Sequence, residues 1–189
     1  MNSWKLIGLA VAGLIICSCQ SDVYSINGYA KTLRDGDTIW LAEVANPNNI
    51  ISSAIVSEGR FAMSGTTSEP SFCIAYSSAS KTNGVTFLLE PGTITLEILP
   101  KEYLSRVSGT ILNNRWQALN DTIRRLGKQL VAMAEDSTVL EQTAHLDKLR
   151  AIDSLHRRMS QCITNVANDN AGNPLGRYIK ENYKAPEFE

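Results

Sequence analysis

From Val23 to about Gly109 the apolar residues come in short runs separated by turn-forming residues, and from Leu112 onward they recur at helical intervals. The first pattern predicts strands over Val23 to Lys31, Thr38 to Ala42, Ile50 to Val56, Arg60 to Ser64, Phe72 to Tyr76, Val85 to Leu89 and Thr93 to Leu99. Arg34-Asp35-Gly36-Asp37, Ser57-Glu58-Gly59 and Glu90-Pro91-Gly92 read as turns, and Asn46-Pro47-Asn48-Asn49 as a loop. No helical segment interrupts the series, so an antiparallel sandwich or barrel is expected and a parallel sheet is not.

Leu112, Trp116, Leu119, Ile123, Leu126, Leu130 and Met133 then step by three and four, which is one stripe of a helix. Asp136-Ser137 breaks it, and Ser137 or Thr138 is placed to cap a second helix. The stripe of that helix runs through Leu149, Ile152, Leu155, Met159, Cys162 or Ile163, and Val166, until the Asn168 to Pro174 cluster ends it. Leu175 to Ile179 opens a short third helix. The expected class is therefore α+β: an antiparallel β-sandwich-like domain over 23–110, then a helical region over 111–189 built as a long αα-hairpin with a short C-terminal helix.

The first twenty residues carry an address. Lys5 precedes an apolar run, Leu6 to Ile16, which at about 11 residues is too short to span a bilayer and fits the core of a secretory signal. Ile16-Cys17-Ser18-Cys19 resembles the bacterial lipobox. Ile16 is bulky as the residue before Cys17, whereas the small Ser18 precedes Cys19, so Cys19 is the expected lipidation site. Residues 1–18 are then the signal peptide and 19–22 a tether. Each buried acyl CH2 adds about 0.8 kcal/mol of membrane affinity, so several chains make a durable anchor. Gln20 stands where Asp would resemble an inner-membrane retention signal, which favours the outer membrane of a Gram-negative cell, facing the periplasm; Asp22 leaves surface exposure open.

Composition narrows the partners. The 189 residues hold 18 basic and 19 acidic side chains, a net charge of -1, and this balance offers no electrostatic footprint for nucleic acid. The 43% hydrophobic content excludes a disordered chain. The expected partners are the membrane, through the lipid anchor, and a protein of the envelope.

Candidate chemistry is sparse. Cys73 and Cys162 are 89 positions apart with no C-x-x-C, and each sits on an apolar period, so they read as buried structural thiols, with a Cys73–Cys162 disulfide left open by the oxidising compartment. His145 and His156 share the apolar stripe of the second helix at three turns, which suits boundary or core histidines and is too far for one metal ion. Asp153 and His156 have no nucleophile turn to work with. Glu90, at the end of an apolar strand, is placed to cap the Gly92 turn or to meet a partner; Trp40 and Trp116 read as core, and Arg124-Arg125 and Arg157-Arg158 as solvated pairs. No catalytic residue, metal site or cofactor is expected.

Several of these motifs resemble a known family: Ile26-Asn27-Gly28, Asp35-Gly36-Asp37-Thr38-Ile39-Trp40-Leu41, Ser53-Ala54-Ile55-Val56, Gly59-Arg60-Phe61, Ser64-Gly65, Phe87 to Ile94, and Val107-Ser108-Gly109-Thr110. They resemble the N-terminal domain of unknown function that precedes the thioredoxin-fold domain in Gram-negative lipoproteins of the thiol:disulfide interchange, or AhpC/TSA, type. Asn173-Pro174-Leu175-Gly176 resembles the segment that follows there, while Ser52 replaces the family's Asp. The resemblance implies an association with envelope thiol-redox systems. The sequence thus predicts a non-enzymatic envelope lipoprotein of interaction or scaffold type, or alternatively the N-terminal part of a thiol:disulfide oxidoreductase whose thioredoxin-like domain is missing or encoded separately.

Overall fold

The computed structural model describes residues 22–78, 80–100, 105–135 and 142–183. Cys17 and Cys19, and the predicted caps Ser137 and Thr138, lie outside the described residues. Eight strands precede three helices: β1 (Val23–Tyr29), β2 (Thr38–Glu43), β3 (Ile50–Ile55), β4 (Arg60–Thr66), β5 (Ser71–Ser77), β6 (Ser80–Leu89), β7 (Gly92–Glu97), β8 (Arg106–Ser108), α1 (Ile111–Glu135), α2 (Gln142–Asp169) and α3 (Pro174–Asn182). The α+β class is thus as expected, with sheets first and helices after.

The strands form two four-stranded sheets, one ordered β4-β1-β7-β8 and the other β3-β2-β5-β6. Alternation along each strand sends one set of side chains between the sheets. Ile26, Met63, Ile94 and Leu96 come from the first sheet and Ile39, Leu41, Ala75 and Phe87 from the second, all nearly or fully buried in one core that also takes in Trp116, Leu119, Ile163, Leu175 and Ile179 of the helices.

One pairing departs from the antiparallel expectation. β1 runs parallel to β7, with Ile26 opposite Ile94 and Gly28 opposite Leu96. A parallel pair needs a long connection, and here the whole β2-to-β6 course supplies it in place of a helix. β8 is the second departure: with only Val107 buried in three residues, it shows no period to read.

The turn residues have local reasons. Asp35 Oδ1 accepts from the Glu58 amide at 2.8 Å, and Val56 N donates to Asp37 O at 2.8 Å, so the β1–β2 and β3–β4 turns lock together. A Cβ on Gly28 would fall 2.0 Å from the Phe61 ring, which lies over it from the neighbouring strand. At the far end Asn173 caps α3, accepting from Leu175 N at 3.0 Å, with Pro174 in the first turn. A Cβ on Gly176 would meet Asn170 O at 2.1 Å.

Candidate interaction surface

Strand edges carry backbone groups that a sheet cannot satisfy internally, and each sheet here has two. β6 and β8 are the edges on one side, β3 and β4 on the other. The first pair is sealed by α1. Asn113 is fully buried; its Oδ1 accepts from Leu88 N at 2.9 Å and its Nδ2 donates to Leu88 O at 2.8 Å, so one side-chain amide replaces a neighbouring strand. Trp116 Nε1 donates to Thr86 O at 2.8 Å, two residues back along the same edge. Gln117 Oε1 accepts from Val107 N at 2.9 Å, on the edge of the other sheet, while its Nε2 donates to Asp121 Oδ1 at 3.0 Å. Positions 113, 116 and 117 share a helical face, so one turn of α1 closes both edges.

Glu90 fixes where that turn begins. Its carboxylate does not cap the Gly92 turn; Oε1 accepts from the Thr110 hydroxyl and, at 3.4 Å, from Asn113 N at the start of α1. An anion at the first turn of a helix is favourable because unpaired amides and the helix dipole point toward it. Gly109, at φ 113°, makes the turn into the helix, and a Cβ there would lie 2.2 Å from Thr93 O. The polar residues that the sequence offers for chemistry in this region are committed to architecture.

The other side is different. No hydrogen bond from α1, α2 or α3 side chains reaches β3 or β4 among the described residues. From Val44 to Ser57 no residue is charged, although edges are commonly protected by Lys, Glu or Pro. Ile55 is 67% exposed, Ile50 39% and Ile51 38%. Trp40 also belongs to this surface and not to the core: its neighbours Ile39 and Leu41 are fully buried, so alternation turns the half-buried Trp40 to the outer face, in register with Ser53 on β3 and Tyr76 on β5. The five-residue run Thr38 to Ala42 hides this, because apolar residues occupy both faces.

Toward its other end, the same outer face is covered by helices. Phe72 stacks on Tyr178 with centroids 3.6 Å apart, and Trp116 meets Phe72, Tyr178 and Tyr183 edge-on at 5.3, 5.7 and 5.9 Å. Trp116 is thus buried as expected. Beside α3 lies an open groove of about 900 Å³ bordered by Glu43, Ile51, Glu69, Arg177 and Glu181. A second, of about 500 Å³, holds Tyr29, Glu97, Asn114 and the Arg106–Asp121 ion pair of 2.7 Å.

The thiols and histidines are not brought together. Cys73 and Cys162 are free, on β5 and α2, so the disulfide left open by the sequence is not formed. Cys73 is fully buried, and burial pushes its thiol pKa up to about 11; the Ser71 hydroxyl at 3.7 Å opposes the shift and the Glu43 carboxylate adds to it. A thiol so placed stays protonated at neutral pH and is a poor nucleophile. His145 is exposed rather than core, and His156 is half-buried. Asp153 pairs with Arg157 at 2.7 Å, and Arg124, half-buried rather than solvated, pairs with Asp121 at 3.2 Å. Among the described residues no group of three or more His, Cys, Asp or Glu is placed to hold a metal ion, and no helix is long and apolar enough to cross a membrane.

The structure therefore defines a two-sheet α+β module with one sealed and one open side. Residues 24–116 match the family described as "Domain of unknown function (DUF4369)". The match ends on Trp116, so it takes in the two sheets, Glu90, Asn113 and the first turns of the sealing helix. No curated protein matches the chain.

Proposed function

We propose that this chain is a non-catalytic interaction module of the bacterial envelope, held at a membrane by lipid on Cys19 and offering its open side to a protein partner. The observation that carries this reading is the contrast between the edges: side chains of α1 close β6 and β8, while β3 presents exposed, uncharged apolar residues. The signal-like run Leu6 to Ile16 followed by Cys17-Ser18-Cys19 supports the anchor and an outer-membrane location. The resemblance of its motifs to those of thiol:disulfide interchange lipoproteins supports an association with envelope redox systems. A second reading rests on the same motifs: the chain as the N-terminal part of a thiol:disulfide oxidoreductase.

Fractionation of cells expressing the chain and its Cys19→Ala variant tests the anchor. The native chain is expected in the membrane fraction and the variant outside it; detergent-requiring association of the variant contradicts the lipid anchor. An insulin-reduction assay tests the non-catalytic reading, since two distant thiols do not cycle as a dithiol pair. No turnover is expected, and turnover abolished by Cys73→Ser overturns the non-catalytic reading.

A further inference from the structure

We propose that the end of the sandwich where β1 begins seats directly on the bilayer that holds Cys19, with exposed aliphatic side chains of β1, β3 and α1 entering the lipid surface. The inference rests on the anchored-module reading, and it assigns which end of that module faces the membrane.

The tether selects the end. Cys19 stands three residues before Asp22, so their Cα atoms lie within about 11 Å of each other by any path. Asp22 is fixed to the first sheet, because its carbonyl oxygen accepts from Thr67 N at 2.8 Å, just past the end of β4. Val23, 51% exposed, follows it. Ile111, 71% exposed, belongs to the same end. Gly92 pairs with Tyr24, and a Cβ on Gly92 would lie 3.2 Å from Thr110 Cγ2, one residue before Ile111. On the second sheet Ile50 pairs with Ala42 near the end of β2, and Ile51 borders the α3 groove together with Thr66 and Thr67. Exposed aliphatic residues of three separate elements thus gather where the lipid is attached.

Charge agrees with that placement. The segments 43–50, 66–71, 89–92 and 108–111, which form this end, hold Pro47, Pro70 and Pro91 and no Lys or Arg. Their acidic residues are Glu43, Glu69 and Glu90, and Glu90 is already bonded to Thr110 and Asn113. The turns of the opposite end carry Lys31, Arg34, Asp35, Asp37 and Glu58. An apolar patch without basic residues enters a bilayer through aliphatic burial and not through attraction to anionic headgroups.

The remaining exposed apolar residues stand away from the anchor. Asn113 meets Leu88, Trp116 meets Thr86 and Asp121 meets Arg106 at the start of β8, so α1 runs from the anchor end toward the other. Val131 therefore lies about 30 Å along α1 from Ile111. Ile55 lies roughly 17 Å along β3 from Ile50, so the seating leaves that part of the open edge to a protein partner.

The test places the full-length lipidated chain in phosphatidylcholine vesicles that carry a phospholipid with a photoactivatable diazirine in its acyl chain, and reads the adducts by mass spectrometry. Adducts at Ile50, Ile51 and Ile111 are expected at least about tenfold above those at Lys31, Arg34, Val131 and Leu149. Equal adducts at the two ends, or adducts centred on Val131 and Leu149, overturn the proposal. The double variant Ile50→Glu, Ile111→Glu changes exposed positions only, and it is expected to cut the adducts at Val23 and Ile51 at least about fivefold. Unchanged adducts in that variant show that the tether alone brings this end near the lipid, which also overturns the seating. Replacing about a quarter of the phosphatidylcholine with phosphatidylglycerol is expected to change the adducts less than about twofold, and a rise of about fivefold or more contradicts an apolar contact. Fractionation of the expressing cells reads the anchor separately: a native chain found outside the membrane contradicts the anchor and the seating with it, whereas a membrane-bound chain labelled equally at both ends contradicts the seating alone.

Discussion

The two sides of this sandwich solve the same problem in opposite ways. At β6 and β8, exposed backbone groups meet Asn113, Trp116 and Gln117 of a single helix. At β3 and β4 nothing comparable is present among the described residues, and β3 lacks even the charges that usually discourage pairing. One side is closed by the chain's own helix, and the other is left in a form that another strand can complete. The comparison teaches that the amides of α1 belong to the β structure as much as to the helix.

The largest effects are expected where the seal is broken. Asn113→Leu removes both bonds to Leu88 and leaves a buried N–H and C=O without partners, which costs roughly 2–5 kcal/mol; Gln117→Leu, which strands one amide, costs about 1–3 kcal/mol. Urea titration of both variants measures the difference. If Asn113→Leu proves as stable as the native chain, the amide does not stand in for a strand.

A smaller effect concerns the strand between the sides. Cys73 titrates near 9.0 in the unfolded chain and about 11 in the folded one. A group whose folded pKa is raised contributes stability that is complete below the unfolded value and lost as pH rises through the folded value. Stability is therefore expected to fall between about pH 9 and 11. Tyr24, Tyr178 and Tyr183, also raised by burial, add to that fall, so Cys73→Ala flattens the slope without removing it. An unchanged slope in the variant contradicts the burial of this thiol. The smallest effect is expected at the open side, where Ile55→Lys changes monomer stability by less than about 0.5 kcal/mol. A loss of several kcal/mol in thermal or urea unfolding shows that Ile55 is packed after all.

Much of this was legible beforehand. The strand runs, the turns at Asp35-Gly36-Asp37 and Ser57-Glu58-Gly59, and the helical stripes each rest on local periodicity or turn chemistry, and they match the observed elements closely. The parallel β1–β7 pair was not legible, because it joins segments far apart in sequence through backbone alone. Trp40 was misplaced because Thr38 to Ala42 has no polar residue inside it to mark the outer face. The sealing residues left a signal that was overlooked: Asn113 and Gln117 flank Trp116 on the inward face of α1, and amides on a buried stripe imply backbone partners. His145 and Leu149 kept helical spacing yet are exposed: among the described residues α2 contributes to the shared core from Met159 onward.

Amide hydrogen exchange tests the contrast between the sides most directly. In dilute solution of the chain, the edge amides of Leu88 and Val107 are expected to exchange with core strands, about 100-fold or more slower than the β3 amides that face away from β2. Leu88 and Val107 exchanging as fast as those β3 amides would contradict the account, because both sides would then be open.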